Sequence, residues 1–311
     1  MADLTILAGG LRFPEGPVAL SDGSVVVVEV GAGRITRVAP DGSKDVVAEP
    51  GDGPNGLAIG PDGKLYVCNN GGCFTWHEQA GLLCPGPHDK SLYTGGRIER
   101  IDLDTGAVEV LYRECQGRPL RAPNDIVFDT AGGFWFTDHG IVDGRSKDRS
   151  AIYYAQADGS AITEAIFPLD SPNGISLSPD GTRLYTAETF TGRVWWWDVP
   201  APGEVVLAPG LLGHGGTLLR GIGGERTINA LDSMGVDGDG WACVATLIGG
   251  GITAISPDGE QAEFHATGDI MTTNICFGGP DLRTAFITLS ASGRLASMPW
   301  PRPGLALAFG R

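Results

Sequence analysis

The sequence predicts an all-β fold, a six-bladed β-propeller with four antiparallel strands per blade, on three observations. One unit recurs six times along the chain: a short apolar alternation, a turn rich in Asp and Gly, and a second apolar run. Each copy is followed by a third apolar segment and a turn into a fourth, which makes a repeat of roughly 50 residues, the size of a propeller blade. The two ends of the chain complement one another, as closure of a ring requires.

The copies run in order as "FPEGPVALSDGSVVVVEV" from Phe13, "GPNGLAIGPDGKLYVCNN" from Gly53, "APNDIVFDTAGGFWFTDH" from Ala122 and "SPNGISLSPDGTRLYTAET" from Ser171, then two weaker ones, "ALDSMGVDGDGWACVATL" from Ala230 and "TTNICFGGPDLRTAFITLS" from Thr272. An Asp-Gly or Gly-Gly pair between apolar runs reads as a hairpin, because glycine supplies the positive φ that tight turns need. Third strands read in "GRITRVAPDG", "GRIERIDLDTG", "SAIYYAQADGS" and "GRVWWWDVPAPG", with the tryptophan run filling space between blades. "GRLASMPW" supplies the third strand of the last blade and the N-terminal "LTILAGG" its fourth, so pairing of the two termini closes the ring. No linker of distinctive composition interrupts the copies, and residues 1–311 are expected to form one domain. One insertion, residues 71–97, follows the second strand of blade two; it carries Phe74, Trp76, His77, His88 and Tyr93 and reads as a candidate lid loop on the active face.

Composition agrees and excludes several classes. Forty-nine glycines and twenty-one prolines suit short strands and tight turns, and 42% hydrophobic residues supply a core. A net charge of −15 repels the phosphate backbone, so neither nucleic acid nor an anionic membrane is an expected partner. No apolar run approaches the roughly 20 residues of a membrane span, and the start lacks a basic region ahead of a long apolar stretch. A cytoplasmic protein, monomeric or a small homo-oligomer, is expected. Six cysteines without a CxxC pair read as reduced thiols.

The inner strand of each blade starts near the axis, so the third residues of the copies converge at one mouth of the channel. They are Glu15, Asn55, Asn124, Asn173, Asp232 and Asn274. Fourteen or fifteen residues on lies a second set, Glu29, Asn69, Asp138 and Glu188, at the ends of second strands running back to the same face. Two carboxylates facing one another at an axis repel unless a positive charge lies between them. Carboxylate and amide oxygens suit one hard divalent cation. Calcium is expected first, with zinc, magnesium, manganese or ferrous iron as alternatives.

The motifs "FPEGPV", "APND", "SPNGISLSPDGTRLYTAETFTGRV" and "LDSMGVDGDG", in this order, resemble the gluconolactonase, senescence marker protein (regucalcin) and luciferin-regenerating enzyme family, over nearly the whole chain. The resemblance implies a six-bladed propeller that binds one divalent cation and hydrolyses lactones. It implies Glu15, Asn173 and Asp232 as metal ligands, Asn124 as a contact to metal or substrate, and Asp232 as the catalytic residue. One departure stands out: Ala122 occupies a place where members that take sugar lactones can carry Arg, and Arg121 is shifted by one.

The chemistry expected is opening of a small lactone, with the cation polarising the carbonyl and Asp232 accepting a proton from the attacking water. Asp138, Glu188 and Glu29 are alternative bases. Substrate contacts are expected from Asn124, Asn55, Asn69, Asp138, His139, Glu188, Trp76 and His77. An arylesterase or phosphotriesterase-like hydrolase and a non-catalytic cation-binding propeller are the rival readings. Neither a GxSxG elbow nor an HExxH pair is present.

Overall fold

Valine-rich and aromatic runs between glycine turns pair into sheets, as their β propensity dictates. The computed structural model describes residues 4–223 and 228–310. Residues 224–227, in the glycine-rich stretch that leads to Asp232, lie outside it. Every described element is a strand. Six four-stranded antiparallel sheets form, with inner strands Pro14–Ala19, Pro54–Ile59, Pro123–Phe128, Pro172–Leu177, Ala230–Val236 and Thr272–Gly278. Each inner strand packs beside the next, and the sixth packs beside the first, which makes the six-bladed propeller.

Closure is as the terminal segments suggest: Thr5–Ala8 pairs antiparallel with Arg294–Pro299, Thr5 opposite Ser297 and Ile6 opposite Ala296. An apolar cluster fills the gap between each pair of neighbouring blades. Trp195 and Trp197, from the tryptophan run, are buried between blades three and four. All six cysteines are free.

The insertion departs from the expected loop. Phe74–Gln79 and Leu82–His88 pair as a β-hairpin, with Trp76 opposite Pro85. Its turn reaches blade six, where Leu83 N donates to Ala291 O at 2.8 Å. The hairpin therefore crosses from blade two over blade one to blade six, tied at both ends. At the opposite end of the channel the C-terminal segment crosses the mouth: Gly304 bridges to Asp237, and Phe309 packs edge-on against Phe128 at 5.8 Å.

All six inner strands carry a bulge after their first residues. One extra residue there bends the strand and re-aims the side chains beside it. The bulge gives the channel two layers. Third residues form the upper one, and fourth residues the lower one, where backbones of adjacent blades come close. A Cβ on Gly16 would stand 2.7 Å from Asn55 O, and one on Gly56 2.4 Å from Asn124 O, so glycine is required at both.

Candidate active site

The upper layer opens into a cavity of about 540 Å³, lined among others by Glu15, Asn55, Asn124, Asn173 and Asp232. Five of the six expected ring residues therefore converge. The sixth does not. In blade six Thr272 pairs with Leu289, as Pro14 pairs with Glu29 and Pro172 with Glu188, which makes Thr273 the third residue and Asn274 the fourth. The turn is no longer than in other blades but the paired strands are, Thr272 lying 17 residues before its partner Leu289 where Pro14 lies 15 before Glu29, so the spacing of the other copies misplaces the register by one. Asn274 lies in the lower layer, where its Nδ2 donates to Glu15 Oε2 at 2.7 Å.

Glu15 is 2% exposed; its Oε2 also accepts from Gly16 N, while its Oε1 has no hydrogen-bond partner. Asn124 Oδ1 is likewise buried without a partner. Two orphaned acceptor oxygens at one cavity are costly unless something positive meets them. Asn173 is held by its neighbours, its Nδ2 donating to Thr189 Oγ1 at 3.1 Å and its Oδ1 accepting from Ser233 Oγ at 3.3 Å. Asp232 accepts from Ser233 N at 3.2 Å.

A third acid, which the repeat pattern did not single out, sits beneath. Asp125 is the fourth residue of blade three, where blades one, two and four have glycine. It is buried, its Oδ1 accepting from Ile126 N at 3.0 Å and its Oδ2 from Ile175 N at 3.2 Å. Its departure from the glycine of the other copies is the signal that could have found it. Burial pushes the Asp125 carboxyl up to about 7. Burial, with Asp125 adding to it and a hydrogen bond from Asn173 opposing it, pushes Asp232 up to about 8. Burial, then the charges of Asp232 and Asp125, hold Glu15 well above the usual carboxylate range. Three acids raised together at one axis are the electrostatic signature of a site that favours a cation.

The second set stands elsewhere. Asp138 accepts from the backbone N–H groups of Arg121, Ala122 and Gly140, at 2.6, 2.8 and 3.0 Å. Glu188 accepts from Asp170 N, Thr191 Oγ1 and Trp195 Nε1. Asn69 accepts from Gly53 N and Gly71 N and donates to Glu99. Glu29 accepts from Arg12 N, Arg34 and Thr36, and these bonds outweigh burial and lower its pKa. In each of these four blades this residue fixes the backbone that enters the inner strand. None of the four lines the cavity.

Other expected contacts divide. His139 and Trp76 line the cavity, whereas His77 is exposed on the outer side of the hairpin. Burial, aided by His88 and Lys147, lowers His139 to about 4, which leaves the imidazole neutral. Arg121 turns away, its Nε donating to Asp148 at 2.7 Å.

Phe13 takes φ 57°, in the left-handed region that a bulky side chain rarely adopts. Its ring is thereby held at the cavity, 5.1 Å from that of Trp76. Strained backbone of this kind collects at functional sites.

Comparison with known proteins agrees with this fold. The chain is 24% identical to the gluconolactonase of Zymomonas mobilis over 92% of its own length and 79% of that protein. It is 27% identical to the diisopropyl-fluorophosphatase of Loligo vulgaris over 93% and 90%. The solved structure of a calcium-binding protein, regucalcin, from Agrobacterium tumefaciens superposes with a TM-score of 0.73 at 18% identity, over 100% of this chain and 98% of that one. The family model of the SMP-30/gluconolactonase/LRE-like region matches residues 13–291, and the chain belongs to that family.

Proposed function

We propose that this protein hydrolyses a lactone at the upper mouth of its channel, with a divalent cation held by Glu15, Asn124, Asn173 and Asp232. The observation that carries this reading is the pair of orphaned oxygens, Glu15 Oε1 and Asn124 Oδ1, on a cavity that Asn173 and Asp232 also line. Among the described residues no cluster of three or more His, Cys, Asp or Glu is arranged to hold a metal. The available donors are two carboxylates and neutral amides, an all-oxygen set that fits a hard cation of calcium type.

When bound, such a cation supplies electrostatic polarisation of the lactone carbonyl. The side chains do the rest. Asp232 stands at the cavity, and its carboxylate accepts the proton of the water that adds to the acyl carbon. The acyl carbon–ring oxygen bond then breaks, and the proton passes to the alkoxide to give a hydroxy acid. In the lower layer Asn274 orients Glu15 by its hydrogen bond, and Asp125 adds negative charge beneath the two acids, neither touching substrate. Asn55 and His139 are the neutral polar contacts left for the substrate, and the hairpin of residues 74–88 acts as a lid tied down on both sides.

A second reading has a specific observation behind it: the likeness to diisopropyl-fluorophosphatase covers nearly the whole chain, so a phosphofluoridate is a second candidate electrophile. One assay separates the two. Acid release is followed from a lactone panel and from diisopropyl fluorophosphate, with protein stripped by chelator and reloaded with calcium, magnesium, manganese, zinc or ferrous iron. Cation-restored turnover of a lactone is the expected result. Turnover of the phosphofluoridate alone supports the second reading, and silence throughout with cation bound leaves a binding propeller.

A further inference from the structure

We infer that the lactone accepted here is uncharged and carries an apolar substituent, which packs under the hairpin while the ring carbonyl meets the acids below; this rests on the lactonase reading. The cavity is polar at one end only. Above the ring of Glu15, Asn55, Asn124, Asn173 and Asp232, its walls are built from Phe13, Phe74, Trp76, Phe190, Leu247 and Met271. A volume of about 540 Å³ is larger than a bare lactone ring needs.

Two of the few polar groups on the walls are engaged with the protein itself. His88 Nδ1 accepts from Val142 N at 2.9 Å, and its ring stands edge-on to Phe74 at 4.8 Å. Thr189 Oγ1 accepts from Asn173. His139 meets the edge of Phe190 at 5.8 Å. Hydroxyl groups of a sugar lactone would lose water against these aromatic faces and find few partners, at a cost for each one buried.

A substrate carboxylate fares no better. No Lys or Arg lines the cavity among the described residues. Lys147, the cation at the rim, is paired with Asp170 while lying over the face of Phe190. Arg121 is paired with Asp148 and lies over Tyr93. Ala122 packs with Cys73 and Ile141 in an apolar cluster that leaves no room there for a polar grip. The acids at the cavity floor add repulsion against any anionic substrate.

The hairpin makes the apolar roof a fixed one. Leu83 N on Ala291 O anchors its turn, and Trp76 is clamped against Phe13. A preformed apolar wall discriminates through the methylenes it covers.

The test compares two six-membered lactones on the calcium-loaded full chain: δ-decanolactone, with a five-carbon tail, and glucono-δ-lactone, with hydroxyls and no tail. A kcat/KM at least about 100-fold higher for δ-decanolactone is expected, the order of magnitude that burial of a short alkyl chain supplies. Trp76→Ala and Phe74→Ala should each reduce the preference for δ-decanolactone over unsubstituted δ-valerolactone by about tenfold, mainly through KM. The product 5-hydroxydecanoate should inhibit more strongly than gluconate. Equal or better turnover of glucono-δ-lactone overturns the inference and leaves the lactonase reading standing. Hydrolysis of no lactone at all, with calcium bound, overturns both.

Discussion

Two sets of polar side chains, drawn from the same few residue types, stand at the ends of adjacent paired strands in the first four blades and have opposite fates. At the ends of the second strands, Asp138 accepts three backbone hydrogen bonds, and Glu188 and Asn69 are bonded just as fully. At the starts of the inner strands, Glu15 and Asn124 each keep an oxygen with no partner beside an open cavity. Residue type does not separate structure from chemistry here; satisfaction does. Where the backbone consumes every lone pair, an acid stiffens a turn, and where it cannot, the acid is left for a ligand.

The comparison breaks first, and hardest, at Asp232. Asp232→Asn should lower turnover by about a thousandfold, the usual scale for loss of a general base, while the melting temperature holds because the amide fills the same volume. Near wild-type turnover would remove Asp232 from the chemistry. Glu15→Gln should weaken cation affinity at least tenfold, since affinity follows ligand charge, with the fold retained. Unchanged affinity by calorimetry would take Glu15 out of the ligand set. Asp138→Ala should do the reverse, removing about 2–3 kcal/mol of stability by denaturant titration while the folded fraction keeps its kcat. A large fall in kcat without a stability change would merge the two sets into one site.

The smallest effect is the most diagnostic of the axis. Asp232 and Asp125, raised to about 8 and 7, hold protons more tightly folded than unfolded. Their stabilising contribution is complete below an unfolded carboxyl's pKa near 4 and is lost as pH rises through 7 and 8. His139, lowered to about 4, acts only below the pKa of a free imidazole. Chelator-treated protein should therefore lose about 2 kcal/mol, a few degrees in Tm, between pH 6.5 and 8, and a saturating cation should flatten the loss. A flat profile without cation would mean that the three acids do not repel.

Much of this was legible because a propeller writes itself periodically: each Asp-Gly or Gly-Gly turn marks a hairpin, and the third residue of each copy marks the axis. Glu15, Asn55, Asn124, Asn173 and Asp232 were found by that count. The misses have physical causes. Asn274 slipped because the paired strands of blade six are longer, so residue type suggested a register that strand pairing does not keep. Asp125 escapes a count of third residues because bulge geometry, not periodicity, turns the fourth residue toward the axis. Asn69, Asp138 and Glu188 reach the expected face, but backbone N–H groups one or two residues before the inner strand capture them. His77 misses the cavity because the insertion pairs as a hairpin, whose alternation sends Trp76 inward and the next residue out.

The measurement that bears most directly on the orphaned oxygens is a calcium titration of chelator-stripped protein, with binding heat and lactone turnover followed on the same samples. Both signals should rise together and saturate at one cation per chain. Full turnover before any cation is bound would contradict the account, because the ring at the channel mouth would then be doing its chemistry without the charge that its geometry demands.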